Sequence, residues 1–283
     1  MLRDNKMPYL FLLPTVIVLL LLTVYPLFYA ISISFQKVDS FNGIHDFVGF
    51  KHYINLVKDI NFWVALKNTV VFVLIAVVLE TLVGFALALL FNTKIIGRKI
   101  LRSIILIPML LPPITVALTW KMMYAYDYGI INNILSHFGI APVEWLSSAK
   151  LALFSIIITD VWQWTPFVFL VLLANLQALP IEIYESAKVD GASALKRLVY
   201  ITLPLLKPGI ILVILLRTID TFRIFDKIYV LTGGGPGNST ETLTFYIYQH
   251  GFKYFDIGFS AATSIVMVVL ILVISNSYIR QVL

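Results

Sequence analysis

Six stretches of this chain are apolar for far longer than a soluble core helix or strand needs: about Leu10–Phe35, Thr69–Phe91, Ser103–Tyr124, Leu151–Leu179, Pro208–Val230 and Phe259–Ile279. The hydrocarbon core of a bilayer, about 30 Å thick, is crossed by roughly 20 helical residues at ~1.5 Å each. The pattern therefore predicts an all-α polytopic membrane protein with six transmembrane helices and one helical membrane domain over residues 1–283. The first stretch follows Arg3 and Lys6 but is too long for a signal-peptide core and lacks a small-x-small cleavage site near its end, so it reads as an uncleaved span. Pro108, Pro112 and Pro113 remove backbone donors from the third span, which should be kinked or broken there, as a flexible point or as a static packing feature.

Composition agrees with lipid as the solvent. Of 283 residues, 60% are hydrophobic and 13% charged, against roughly 45–50% and 25% in soluble domains. A soluble enzyme, a disordered tail and a nucleic-acid-binding domain are excluded. With no cysteine, the chain has no disulfide, thiolate metal site, iron–sulfur cluster or thiol nucleophile. Four scattered histidines without metal-ligand spacing give no metal site, and no cofactor is expected.

The net charge of +6 is a topology signal. With both termini inside, the inner segments hold Arg3, Lys6, Lys94, Arg98, Lys99, Arg102, Lys188, Lys196, Arg197, Lys207 and Arg280. The longer outer segments hold only Lys37, Lys51, Lys58, Lys67, Lys121, Lys150 and Lys253. Basic residues concentrate on the cytoplasmic side of membrane proteins, so both termini are expected in the cytoplasm.

Between spans four and five, over about residues 180–207, lies a segment that reads as a short cytoplasmic helix. Pro180 suits a first turn, with Glu182 and Glu185 near the positive end. Ile181, Tyr184, Ala187, Gly191, Leu195 and Leu198 make one apolar stripe at three- and four-residue spacing. Ser186, Ala187, Gly191, Ala192 and Ala194 form a small-residue waist that another backbone could approach closely. An interfacial helix lying on lipid headgroups has a similar pattern.

Two spans carry polar residues at matching mid-depth, where charge is expensive and marks function. Span four offers Asp160, Gln163, Trp164 and Phe167, and span five offers Arg217, Asp220, Thr221 and Ile224, both at i, i+3, i+4, i+7. Facing each other, these stripes suit a polyhydroxylated ligand. Aromatic faces stack on its C–H surfaces while carboxylate, amide and guanidinium exchange hydrogen bonds with its hydroxyls. The alternative is structural, with Arg217 neutralising Asp160 or Asp220. Arg223, Asp226 and Lys227 are expected nearer the outer end, and Glu80 as a satisfied interhelix hydrogen bonder. Tyr124 and Trp145 read as interfacial anchors.

Glu185-Ser186-Ala187, then Gly191, then Ile201-Thr202-Leu203-Pro204 resembles the E-A-A-x3-G-x9-I-x-L-P loop of permease subunits of binding-protein-dependent ABC importers, with Ser186 replacing one Ala. The resemblance runs over roughly residues 10–280. It includes Gly129-Ile130-Ile131-Asn132, Trp145-Leu146, Trp162-Gln163 and the Leu231-Thr232-Gly233-Gly234-Gly235-Pro236 loop. It is similar to the carbohydrate branch (maltose/multi-sugar, sn-glycerol-3-phosphate), first-permease type.

The resemblance implies a permease of the cytoplasmic membrane that pairs with a second permease subunit, two cytoplasmic ATPase subunits and an extracytoplasmic solute-binding protein. It implies inward movement of a sugar or polyol substrate by alternating access. It also implies that Glu185, Ser186, Ala187, Asp190 and Gly191 couple to the ATPase. Glu185 would meet a basic group there, Asp190 would cap or pair locally, and the mid-membrane residues would hold substrate. The outer glycine-rich loop has no lysine or second glycine at phosphate-loop spacing, so ATP is hydrolysed elsewhere and the chain is no enzyme. The rival classes are an ion-coupled secondary transporter and a membrane-embedded enzyme. The latter needs acids, histidines or a metal near one membrane face.

Overall fold

A computed structural model describes residues 7–39, 44–93 and 96–280. Arg3, Lys6 and Lys94, counted among the inner basic residues, lie outside the described residues. Five uninterrupted helices are long and apolar enough to cross a bilayer: Phe11–Ser34, Ile60–Phe91, Ala152–Gln177, Ala194–Phe222 and Ile257–Ile279. The pair Arg98–Leu110 and Pro113–Met123, bent by 97°, is long and apolar enough only when taken together, as a broken span or a re-entrant loop. These are numbered below as spans one to six in chain order, the bent pair being span three.

The bend falls at the prolines. Leu111 and Pro112 are extended, as expected where a following proline disfavours the helical region. The break leaves the Leu111 carbonyl without a helical partner. Gln163 of span four donates its Nε2 to that oxygen at 3.0 Å, satisfying in apolar surroundings a group that lipid cannot satisfy.

Span five is displaced from the sequence reading. Its helix starts at Ala194, where the Ser193 hydroxyl accepts from the Lys196 amide at 3.3 Å, and ends at Phe222. A π-helical turn over Leu198–Thr202 precedes Pro204. Leu203 donates to the Leu198 carbonyl, five residues back, a wider turn typical of helices adjusting to a proline. The residues expected to complete the span instead form a separate short helix, Asp226–Leu231. No proline or glycine marks the break at Arg223–Phe225, so hydropathy alone reads through it.

The chain divides into two compact units. In one (residues 1–62 and 246–270), span one is followed by a two-stranded antiparallel hairpin, Gln36–Asp39 with Ile44–Phe47, and by helix Lys51–Lys58. The Tyr246 hydroxyl donates to Asp59 Oδ2 at 2.5 Å, and His52 Nε2 lies 3.0 Å from the Gln36 carbonyl oxygen. The other unit (residues 63–245 and 271–283) contains spans three to five and most of span two. Its core packs Ala88 and Phe91 of span two against Phe169, Leu172 and Leu173 of span four, with Leu206 and Val213 of span five. Gly84 makes this possible, since a Cβ there would stand 2.7 Å from Val168 Cγ1 and 3.0 Å from the Phe169 amide nitrogen.

Candidate functional site

In the second unit, span four presents Asp160 and Trp164, and span five presents Arg217, Asp220 and Thr221 in its last turns before Phe222, nearer the helix end than the mid-depth expected of them. With Ile224 and residues of the following segment they line a cavity of about 280 Å³. Phe167 lies on an adjoining cavity that shares Trp164, Arg217 and Asp220. Gln163 is fully buried, and its amide is turned to the break in span three instead of into the cavity. The structure thus brings together seven of the eight mid-membrane candidates, and assigns Gln163 to holding the broken helix.

The charges form a closed network. Arg217, 2% exposed, donates Nε to Glu80 Oε2 at 2.6 Å and Nη2 to Glu80 Oε1 at 3.0 Å. Its Nη2 also reaches Asp160 Oδ2 at 3.1 Å, and its Nη1 reaches Asp220 Oδ2 at 2.7 Å. The second oxygen of Asp160 accepts from Lys227, which is as buried as its partner. The two buried carboxylates, Glu80 and Asp160, thus balance the two buried cations, Arg217 and Lys227, as burial of charge demands, while the third carboxylate, the half-exposed Asp220, also pairs with exposed Arg223 at 3.4 Å. The guanidinium also lies over the Trp164 ring, 4.9 Å from its centroid, a cation–π contact.

Glu80 and Lys227 were not among the sequence candidates for this site. Glu80 is a hydrogen bonder between helices, as expected, but its partner is Arg217. Lys227, expected nearer the outer end, turns inward because the chain breaks after Phe222. The first pair, Glu80 with Arg217, was not indicated, because the sequence does not say which helices touch. Nothing in the sequence indicated the second.

The cavity also holds a buried hydroxyl, Thr221 Oγ1, that finds no hydrogen-bond partner among the described residues. No group of three or more His, Cys, Asp or Glu able to hold a metal occurs among the described residues.

The other candidate element is the helix Ile181–Val189. It ends in two nested hydrogen bonds, Ala192 amide to Ala187 carbonyl at 2.9 Å and Gly191 amide to Lys188 carbonyl at 3.0 Å. That Schellman closure requires a left-handed residue after the C-cap. Asp190 is the C-cap and Gly191 supplies the positive φ of 73°. The single stripe expected through Leu198 is therefore divided at Gly191 between two helices. A Cβ at Gly191 would meet nothing within 4 Å in this chain. Glu185 and Ser186 are exposed, as are Ile181, Val189 and Leu195. On its other side the helix is tied to span five through the Tyr184 hydroxyl and Thr202 Oγ1, 3.0 Å apart.

The sequence model of the family described as "Binding-protein-dependent transport system inner membrane component" matches residues 80–281. That range takes in Glu80, the whole charge network and the Ile181–Val189 helix. The chain belongs to this family.

The permease is 43% identical to the trehalose/maltose transport system permease protein MalF of Thermococcus litoralis, over 98% of this chain and 94% of that protein. It is 37% identical to the sulfoquinovosyl glycerol transport system permease protein SmoG of Agrobacterium fabrum, over 99% and 91%. In three dimensions it is similar to a chain of a bacterial ABC transporter involved in the import of the acidic polysaccharide alginate. That match has a TM-score of 0.86 at 25% identity, covering 99% of the permease and 96% of the alginate chain. It is a transport component of the inner membrane, and ATP hydrolysis is not its own chemistry.

Proposed function

We propose that the permease is one of two membrane subunits of an ATP-driven importer for a sugar or related polyol. An extracytoplasmic solute-binding protein delivers the ligand, and two cytoplasmic ATPase subunits supply the work. Membrane lipid surrounds the assembly, and both termini and the Ile181–Val189 helix face the cytoplasm. The trehalose and maltose named for a 43% identical relative support the substrate class.

The observation that carries the reading is the cavity between spans four and five, in a chain of this family. All three nitrogens of Arg217 already donate to carboxylates, and Lys227 is taken by Asp160. Arg223, exposed on the cavity wall and bonded to Asp220 at 3.4 Å, is the cation that could meet a polar or anionic group without breaking the buried network. With the Trp164 ring, the half-exposed Asp220, the Thr221 hydroxyl and Asp226 on the same walls, the set is suited to sugar hydroxyls and C–H faces.

For coupling, Glu185 and Ser186 present the exposed face of the short helix to the ATPase, where Glu185 meets a basic group. Ala187 and Gly191 keep that face low, and Asp190 closes the helix. Movement there reaches span five through Tyr184 and Thr202, and span five carries Arg217 and Asp220. Uptake of maltose by the reconstituted assembly tests the cavity. Thr221→Val and Asp220→Asn are expected to lower transport about tenfold while ATPase stimulation by loaded binding protein persists. Full transport in both variants would contradict the reading.

A further inference from the structure

A second cleft, of about 500 Å³, lies at the opposite end of the helices that border the cavity between spans four and five. Helices Pro113–Met123 and Asp226–Leu231 pack side by side. Their first residues, Pro113 with Asp226 and Lys227, line that cavity. Residues at their last turns, Lys121 and Leu231, line the second cleft. The Lys121 ammonium donates to the Val230 carbonyl at 2.8 Å and holds the two helix ends together. The cleft and the cavity therefore lie at opposite ends of this helix pair.

Its walls are aromatic and pre-set. Tyr126 and Tyr128 are 51% and 77% exposed, beside exposed Glu144. Trp145 is fixed by donating its indole N–H to Asn132 Oδ1 at 2.9 Å, and Tyr124 by donating its hydroxyl to the Ser155 carbonyl at 3.0 Å. Asn132, itself buried, also bonds the Tyr126 carbonyl and both the amide and carbonyl of Val143, which locks the loop that carries these rings. These bonds remove Trp145 and Tyr124 from the role of headgroup anchors, because their polar atoms are spent inside the protein. Rigid ring faces beside a carboxylate and an ammonium, in a volume within the ~300–1,000 Å³ range of small-ligand sites, are the chemistry that holds a sugar ring by stacking and hydroxyl bonds.

We infer that this cleft is a second sugar-binding site, which receives the sugar before the helix pair admits it to the cavity between spans four and five. The inference rests on the sugar-import reading above. The rings are the main contact, and Glu144 and Lys121 orient the hydroxyls.

The test is saturation-transfer NMR with maltose on the permease–ATPase assembly in nanodiscs, without binding protein, alongside maltose uptake by the complete assembly in liposomes. Tyr128→Ala combined with Glu144→Gln leaves the Asn132 hub untouched, and should cut transfer to the maltose C–H protons about 3–10-fold, in keeping with the strength of aromatic contacts. Uptake should fall at limiting maltose, with unchanged affinity for the binding protein. Unchanged transfer in the double variant overturns the second site. So does weakened affinity for the binding protein with transfer intact, which makes the cleft a protein-docking surface. Wild-type liposomes that take up no maltose overturn the sugar-import reading itself, a result separate from either of these.

Discussion

Glu80 of span two and Arg217 of span five, 137 positions apart in the chain, meet in a two-point ion pair with neither side chain open to solvent. The pair fixes the guanidinium so that its remaining nitrogens point at Asp160 and Asp220, and the geometry of the cavity follows from it. Breaking a buried pair by removing one partner typically costs about 3–5 kcal/mol, whereas replacing both with apolar groups is often neutral. Glu80→Leu and Arg217→Met should each lower the melting temperature of the purified assembly strongly. The double variant, which leaves Asp160 with Lys227, should be more stable than either single one. Additive losses would show that the two residues act independently.

Gly191 separates two demands on the segment proposed to meet the ATPase. Its φ of 73° excludes most side chains for local reasons, while the open space around it in this chain leaves room for a partner. Asparagine tolerates positive φ but adds bulk. Gly191→Asn should therefore insert and fold nearly as the wild type does, yet lose co-purification with the ATPase and most maltose uptake. Co-purification at the wild-type level would show that the glycine serves the helix end alone.

His250 gives a pH-dependent contribution in the other unit. Burial among Tyr246, Tyr254 and Phe259 holds its imidazole below the ordinary value of 6.5, against the opposing pull of Asp256 and Asp59. The unfolded chain then binds a proton that the folded one resists. The stability contribution is complete above pH 7, and is lost as the pH falls through 6.5 toward the lower folded value. Melting temperatures at pH 7.5 and 5.5 should differ more for the wild type than for His250→Gln. Equal differences would remove the residue from this role.

What the sequence disclosed divides along a physical line. Span three breaks at Pro112 and Pro113, while Pro108 is carried within its first helix, and the short helix ends where glycine permits a left-handed turn. These are local effects, carried by the residues that cause them. The polar stripes of spans four and five were legible because helical periodicity places Asp160 with Trp164, and Arg217 with Asp220 and Thr221. The pairing of those charges was not legible, since it depends on which helices touch. Glu80 reads as an isolated acid until span two is packed on spans four and five, and Lys227 reads as outlying until the helix stops at Phe222 with no proline or glycine to announce it. Gln163 lies on the predicted face and was expected in the cavity, but the broken carbonyl of Leu111 claims its amide.

The central claim is that a partner ATPase, engaged through the Ile181–Val189 helix, drives sugar across this permease. Maltose uptake into liposomes holding both permease subunits and the binding protein, measured with and without the ATPase subunits and ATP, tests it most directly. Accumulation should require all components and disappear in Gly191→Asn. Accumulation that continues when the ATPase is left out would contradict it.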